Sequence, residues 1–488
     1  MGTSRSSRTS KQAPLRQQLP KSTFVIDNGA YTMKAGWTTD STTSSPVDNC
    51  VVVPNALVRT RDKHIFTGLE LDTHINDWNE AAFRRPVEKG YIVNWEAQRD
   101  IWEHSFFEPK TAKRPELRVT DPKDTTLVLT EAPNALPTLQ RNADEIIMEE
   151  WQFGGYSRCL GMLCDSAVLD HRCFDYELTF GDFAASTLNA WNDTPSIFGD
   201  PVNVQQHEPA APADCLLVVD SGYSHTTITP VYRGKPIQRA IRRLDVGGKF
   251  LTNHLKDLIS LRQYHMLDET YIVNQVKESV CFVSQNFSLD MERTWKGNLN
   301  KKTPDYPDGA VVEYVLPDPT ANRKGYVRPF DSAAAAKRRK DILSGATTPG
   351  MSAEDVLLLG NERFTVPESL FTPTDIGIKS PGIPEIIMQS LSVLPSELQP
   401  AFLGNVLVVG GTSLLSGFLE RLQSELRKLA PSECVVRVCH PNDPIRSAWV
   451  GANRLSTNRQ AMEEIAITRQ QYQEYGPAWA ARHFQRGA

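Results

Sequence analysis

Two apolar runs along the chain each end in an acidic residue and a glycine. Phe24-Val25-Ile26 leads into Asp27-Asn28-Gly29-Ala30-Tyr31, and Leu216-Leu217-Val218-Val219 leads into Asp220-Ser221-Gly222-Tyr223-Ser224. Short apolar runs bounded by turn residues predict buried strands. Each is followed by a second predicted strand, at residues 32–37 and 225–229. The same strand–turn–strand unit thus occurs twice, far apart. Between and after these units the pattern predicts a strand at 51–57 and a connecting, partly helical segment at 79–90. A helix at 96–107 would carry Ile101, Trp102 and Phe106 on one side. A short strand at 126–129 and a helix at 142–153, with Ile146, Ile147 and Trp151 inward, follow. Phe418, Leu422, Leu426 and Leu429 recur at helical spacing and give one apolar face, which predicts a core-facing helix more readily than a partner groove. That helix follows the Gly410-Gly411 turn, which fits an alternation of α and β layers.

Polar stretches interrupt this pattern. Residues 189–214 hold Pro195, Pro201, Pro209 and Pro212 and read as a surface insertion. Residues 296–309 are polar with prolines. Residues 317–350 are poor in apolar side chains and contain the basic run Lys337-Arg338-Arg339-Lys340. That run fits an import signal, a contact to DNA or a histone partner, or simply a solvated helix end. Residues 1–22 have no acidic side chain and read as a disordered basic tail. Import, DNA contact and plain solvation all fit the tail.

Composition narrows the class. With 488 residues, 40% of them hydrophobic, the chain can bury two large lobes. A net charge of −5 gives the whole molecule no electrostatic reason to coat DNA. The eight cysteines form no paired framework and suit free thiols in a reducing compartment. Cys159, Cys164, His171 and Cys173 lack the paired short spacings of a zinc knuckle, so ordinary thiols are the expectation. No apolar run is long enough to span a bilayer, and no signal-peptide segment opens the chain. No membrane partner is expected.

A lone Asp-x-Gly turn is usually an ordinary hairpin. Two facing each other can grip a phosphate tail through backbone N–H groups, with the aspartates orienting a hydrated Mg²⁺. The surrounding residues carry a resemblance. Asp27 to Trp37 is similar to the first phosphate loop of the actin superfamily, and Val219-Asp220-Ser221-Gly222 to its second. Arg243 to Lys249, Gln275-Val276-Lys277-Glu278, Val408 to Ser413, Ala448-Trp449-Val450-Gly451 and Ile467 to Tyr472 match later stretches in the same order. The match runs from about residue 23 to residue 484. Residues 89–96, 248–256, 274–278, 361–368 and 375–378 resemble the nuclear actin-related proteins most closely.

The resemblance implies an α/β fold: an actin-like two-lobed ATPase fold, each lobe a mixed sheet with flanking helices, and a nucleotide cleft between lobes. The first lobe would cover 23–214 with an insertion near 164–214. The second would cover 215–488 with insertions near 296–350, its C-terminal segment returning to the first lobe. The cofactor implied is ATP or ADP with magnesium. Asp27, Asn28, Gly29, Ala30, Tyr31, Lys34, Asp220, Ser221, Gly222 and Tyr223 would surround the phosphates. Asp27 and Asp220 would hold the metal through water. Gly247, Gly248, Lys277, Glu278, Gly410, Gly411, Thr412, Ser413 and Leu415 would surround the nucleoside.

The departures from the actin pattern matter as much. The first-loop serine of actins is Ala30, the aspartate after the second-loop glycine is Tyr223, and the following histidine falls at Thr227. No glutamine lies between Gln152 and Gln205, where the water-positioning residue is expected, and an adenine-side lysine falls at Ile445. Losing one positioned catalytic group costs on the order of 10²- to 10³-fold in rate. The expectation is a nucleotide binder with little hydrolysis and no catalytic residues. By resemblance it would be a nuclear scaffold, with some cytoplasmic pool, inside a remodeller that deposits the Z-type variant of histone two-A. Its partners would be a Swi/Snf-family ATPase, a zinc-finger subunit and, through the complex, the nucleosome. An ATPase or small-molecule kinase outside chromatin is the main alternative. A chaperone would need a peptide-binding domain after the nucleotide lobes, and the altered site weighs against a self-polymerising filament.

Overall fold

The computed structural model describes residues 18–38, 49–75, 78, 81–108, 114–160, 215–294, 309–318, 323–336, 340 and 354–486. The predicted hairpins are both present. Ser22–Asn28 pairs antiparallel with Thr32–Trp37, setting Asp27 opposite Lys34. Cys215–Ser221 pairs antiparallel with Thr226–Tyr232, setting Asp220 opposite Thr227.

Each hairpin nucleates a mixed sheet. The first has six strands in the order Ile467–Thr468, Gly155–Leu160, Thr125–Glu131, Ser22–Asn28, Thr32–Trp37, Val51–Pro54. The second runs Lys235–Pro236, Thr226–Tyr232, Cys215–Ser221, Val406–Val409, Val438–Cys439, with Arg242–Leu244 added beside Thr226–Tyr232. In both, the leading hairpin strand is flanked by a parallel strand, Thr125–Glu131 or Val406–Val409. Both aspartates therefore sit at the carboxyl ends of strands, where open α/β sheets bind ligands.

The two largest cores among the described residues accompany the two sheets. One gathers Leu217, Val219, Leu255, Val276, Ile387, Val408 and Leu422 around the second sheet. The other gathers Phe24, Ile26, Met33, Trp102, Leu127, Ile147 and Tyr156 around the first. Burial of whole side chains of this size is the main favourable term in the fold, at about 1.5–3 kcal/mol each. The chain crosses back late: the Ser447–Thr457 helix buries Trp449, whose indole N–H donates to the Val25 carbonyl at 3.0 Å. Tyr472, Ala480 and Phe484 then pack into the core of the first sheet.

Several expectations are corrected. Residues 51–57 form two strands, Val51–Pro54 and Leu57–Arg59, because Asn55 leaves the ladder to bind the Gly29 carbonyl. The described part of 79–90 contains the strands Ala82–Arg84 and Val87–Glu88 and no helix; short hairpin pairing replaces the expected helical turn. The helix expected at 142 begins earlier, at Pro137, and passes into a π-turn at Ile146–Glu150. Within the last polar stretch, Tyr326–Pro329 is a strand; it pairs with Val312–Val315, which lies between the two stretches, in a three-stranded sheet with Val356–Leu359, held by Arg328 between Glu313 and Glu354. Charge pairing hides the strand character of Tyr326–Pro329 from a hydropathy reading. Leu429 is 45% exposed, so of the four expected apolar positions the Phe418–Leu429 helix buries Phe418, Leu422 and Leu426, together with Arg421. The expected disordered tail ends earlier than residue 22: Leu19 is buried, the Leu19 and Pro20 carbonyls accept from Arg459, and Ser22 opens the first strand. Residues 1–17, the 189–214 stretch, Cys164, His171, Cys173 and Lys337 to Arg339 lie outside the described residues.

Candidate functional site

The two turns face one another across a cleft of about 940 Å³. Asp27, Asn28, Gly29, Ala30, Tyr31 and Lys34 line one side; Asp220, Gly222, Tyr223 and Gly248 line the other. Lys277, Glu278, Gly410, Gly411, Thr412, Leu415 and Ile445 line the remaining wall. Sixteen site residues expected from the sequence thus meet in one cavity.

Ser221, Gly247 and Ser413 are not among the lining residues. Ser221 is fully buried and pairs its hydroxyl with Thr226 at 3.1 Å. Ser413 turns its hydroxyl to the Gly410 carbonyl at 2.7 Å. A Cβ on Gly247 would stand 2.7 Å from the His225 nitrogen and 2.8 Å from the Gly222 carbonyl. Gly247 therefore lets the Gly248–Arg262 helix pack against the second hairpin, which also takes the first helical N–H groups: Gly248 donates to Gly222 and Lys249 to Tyr223.

Lys34 is the central cation. Its ammonium lies 3.1 Å from Asp27, and both groups are sheltered. Burial works against the Lys34 charge, but Asp27 and then Asp220 outweigh it and hold its pKa above the ordinary value. Burial, helped by the charge of Asp27, pushes Asp220 up to about 6. Two carboxylates held close at the base of facing turns suit a hydrated divalent cation, whose charge would restore Asp220 to its ionised form. Thr130 donates to Asp27 at 2.5 Å and fixes that carboxylate.

Other side chains set the walls. The Asn28 amide donates to Gln98 at 2.9 Å and its carbonyl accepts from the Trp102 indole at 3.3 Å, so Asn28 anchors its turn to the Trp95–Trp102 helix. Lys277 is buried, with Asn274, Thr252 and Gly248 oxygens at 2.8, 3.1 and 3.4 Å. Burial lowers its pKa. Gly410 adopts φ +91°, and a Cβ there would collide with the Ser221 carbonyl.

The sequence reading missed several residues. Arg85 is one: its guanidinium lies 4.5 and 5.3 Å from the rings of Tyr31 and Tyr223, two expected site residues that pack on each other across the cleft with centroids 4.7 Å apart. His225 lines the cleft beneath Gly90, whose φ is +84°. Burial, then Arg243, lowers the His225 pKa to about 4. Asp443 and Arg446 also line it; Asp443 accepts from the Ile445 and Arg446 backbone N–H groups. Only Asp443 had a sequence signal, as a helix-start acid. Arg85 lies far from either loop and had none.

Two mixed sheets, each opening with an acidic hairpin turn, and a cleft between those turns define a protein of the actin class. The actin family model matches residues 18–485, and the chain belongs to the actin family. Among its relatives, the actin-like protein arp6 of Aspergillus fumigatus is 58% identical over 483 residues, covering 98% of each chain. Actin-related protein 6 of Neurospora crassa is 44% identical, covering all of this chain and 98% of the relative. Actin-related protein 6 of Drosophila melanogaster is 32% identical, covering 93% and 97%.

Proposed function

We propose that this chain is a non-motor scaffold subunit of a nuclear SWR-type remodelling complex that deposits the Z-type variant of histone two-A. It would join a Swi/Snf-family ATPase and a zinc-finger subunit and reach nucleosomes through the complex. The observation that carries this reading is similarity to actin-related protein 6 chains over nearly the whole length. The reading adds that the cleft holds ATP or ADP with Mg²⁺ as a structural ligand, and that hydrolysis is close to background. In support, Thr227 is buried in its strand and is not among the cleft-lining residues. Ala30 offers no hydroxyl.

One observation favours an alternative. His225 lies in the cleft, two residues before Thr227, and an imidazole there could serve an actin-fold ATPase. Its pKa of about 4 makes it a poor base at neutral pH. The scaffold reading is therefore preferred.

Tagged purification from nuclear extract at moderate salt, with the co-purifying proteins identified, tests the assignment. Stoichiometric recovery with a Swi/Snf-family ATPase and histone-exchange subunits is expected. Recovery as a free monomer, or with cytoplasmic filament proteins alone, would remove the chromatin role. Sustained turnover by the isolated protein, abolished by His225→Ala, would replace the structural-ligand reading with the enzymatic one.

A further inference from the structure

We propose that the cleft selects a nucleoside diphosphate over the corresponding triphosphate, because the Tyr31–Tyr223–Arg85 stack fills the space between the two turns that a third phosphate needs. This rests on the nucleotide reading above and names the ligand class of that same site.

The position of the stack carries the argument. Tyr31 follows the Gly29-Ala30 turn of the first hairpin, and Tyr223 follows Gly222 in the second. A phosphate tail gripped from both sides passes between these two turns. The rings, 4.7 Å apart at their centroids, are in van der Waals contact and leave no room between them for a phosphate group.

The stack is tethered on every side. The Tyr31 hydroxyl accepts from Asn274 at 3.1 Å. Asn274 is itself fixed by Glu278 and Lys277. The Tyr223 carbonyl accepts from Lys249 at 2.7 Å, and a Cβ on Gly248 would already stand 3.2 Å from the Tyr223 ring. Arg85 donates to the Tyr31 and Asn55 carbonyls while lying over both rings. Swinging the rings aside would break these hydrogen bonds and a cation–π contact together.

Charge points the same way. Asp27 and Asp220 face the tail, Lys34 is already paired with Asp27, and Arg85 is committed to carbonyls and rings. A third phosphate adds negative charge between the turns, where the two cations described beside them, Lys34 and Arg85, are already engaged, and Ala30 supplies no hydroxyl donor. A diphosphate needs only the turn N–H groups, Lys34 and one hydrated cation.

The test is calorimetric titration of the full chain, with Mg²⁺ present, using ADP and a non-hydrolysable ATP analogue. ADP is expected to bind at least about tenfold tighter. In Tyr31→Ala/Tyr223→Ala the preference should shrink to about threefold or less, chiefly by a gain for the ATP analogue. Tyr223→Ser, which keeps the turn and removes one ring, gives the same reading if the double variant fails to fold. Binding of the ATP analogue as tightly as ADP by the natural chain would overturn the proposal and leave the nucleotide reading standing. An unchanged preference in folded variants would also overturn it. Failure of both ligands to bind would overturn the nucleotide reading and this proposal with it.

Discussion

At the scale of single residues, the site is a small number of charges held by burial. Lys34 is held by Asp27, with Asp220 adding to its charge stabilisation. Removing one member of a sheltered pair leaves its partner uncompensated, which costs about 3–5 kcal/mol when burial is deep. Lys34→Met is expected to lower stability by about 3 kcal/mol in denaturant unfolding and to abolish nucleotide binding. A second charged group lies off the cleft. Asp144 is almost fully buried, 3.6 Å from Arg158, and burial pushes its pKa up to about 7 despite that cation. A folded pKa above the unfolded value of about 4 means that the protonated acid favours the fold. That contribution is complete below pH 4 and is lost as the pH rises through 7. Asp144→Asn, which cannot ionise, should flatten the fall in stability between about pH 4 and pH 7 by on the order of 1 kcal/mol. Unfolding midpoints across that range check it; parallel profiles for the two proteins would contradict it.

At the scale of elements, the strand hairpins were legible and the pieces around them less so. Period-two and apolar-run signals placed Thr32–Trp37 at its observed bounds. The Val87–Glu88 and Tyr91–Ile92 hairpin was not legible, since two-residue strands carry no periodicity. It nonetheless spans the cleft: Tyr91 lies under Arg243, and Glu88 is 3.5 Å from Lys249. The C-terminal helices show the reverse case. Thr468 caps the Arg469–Tyr475 helix by accepting from Gln471, and the Gln471 side chain accepts from the Thr468 N–H. This capping box is readable in the sequence as Thr-x-x-Gln. Thr468→Ala should cost about 1 kcal/mol and show first as faster hydrogen exchange in residues 469–486, with the core strands unaffected.

At the scale of the whole molecule, the two sheets meet at three levels. Trp449 ties the second half to Val25 at the base of the first sheet. The Tyr31–Tyr223 stack joins the turns, and Trp78 stacks on Tyr271 with centroids 3.7 Å apart, with Phe83 alongside. Any opening that parts residue 78 from residue 271 must break that last stack, worth about 0.5–1.5 kcal/mol beyond its buried area. Trp78→Ala is therefore expected to speed release of a bound fluorescent nucleotide about three- to tenfold in a chase experiment, with little change in the association rate. An unchanged release rate would mean that ligand leaves without separating these rings.

The sequence by itself determined the two hairpins, the family and the residue types that stand in the turns, because each is written in contiguous residues with a local backbone consequence. Acid-glycine turns after apolar runs, and the substitutions at Ala30, Tyr223 and Thr227, need no distant partner to be read. Only the tertiary structure decided what fills the space between the turns. Arg85 reaches Tyr31 and Tyr223 across separations of 54 and 138 residues, and Trp449 reaches Val25 across 424. Contacts of that range are set by how two sheets pack. Side-chain spacing along the chain carries no record of them, and the proposed ligand's length depends on them.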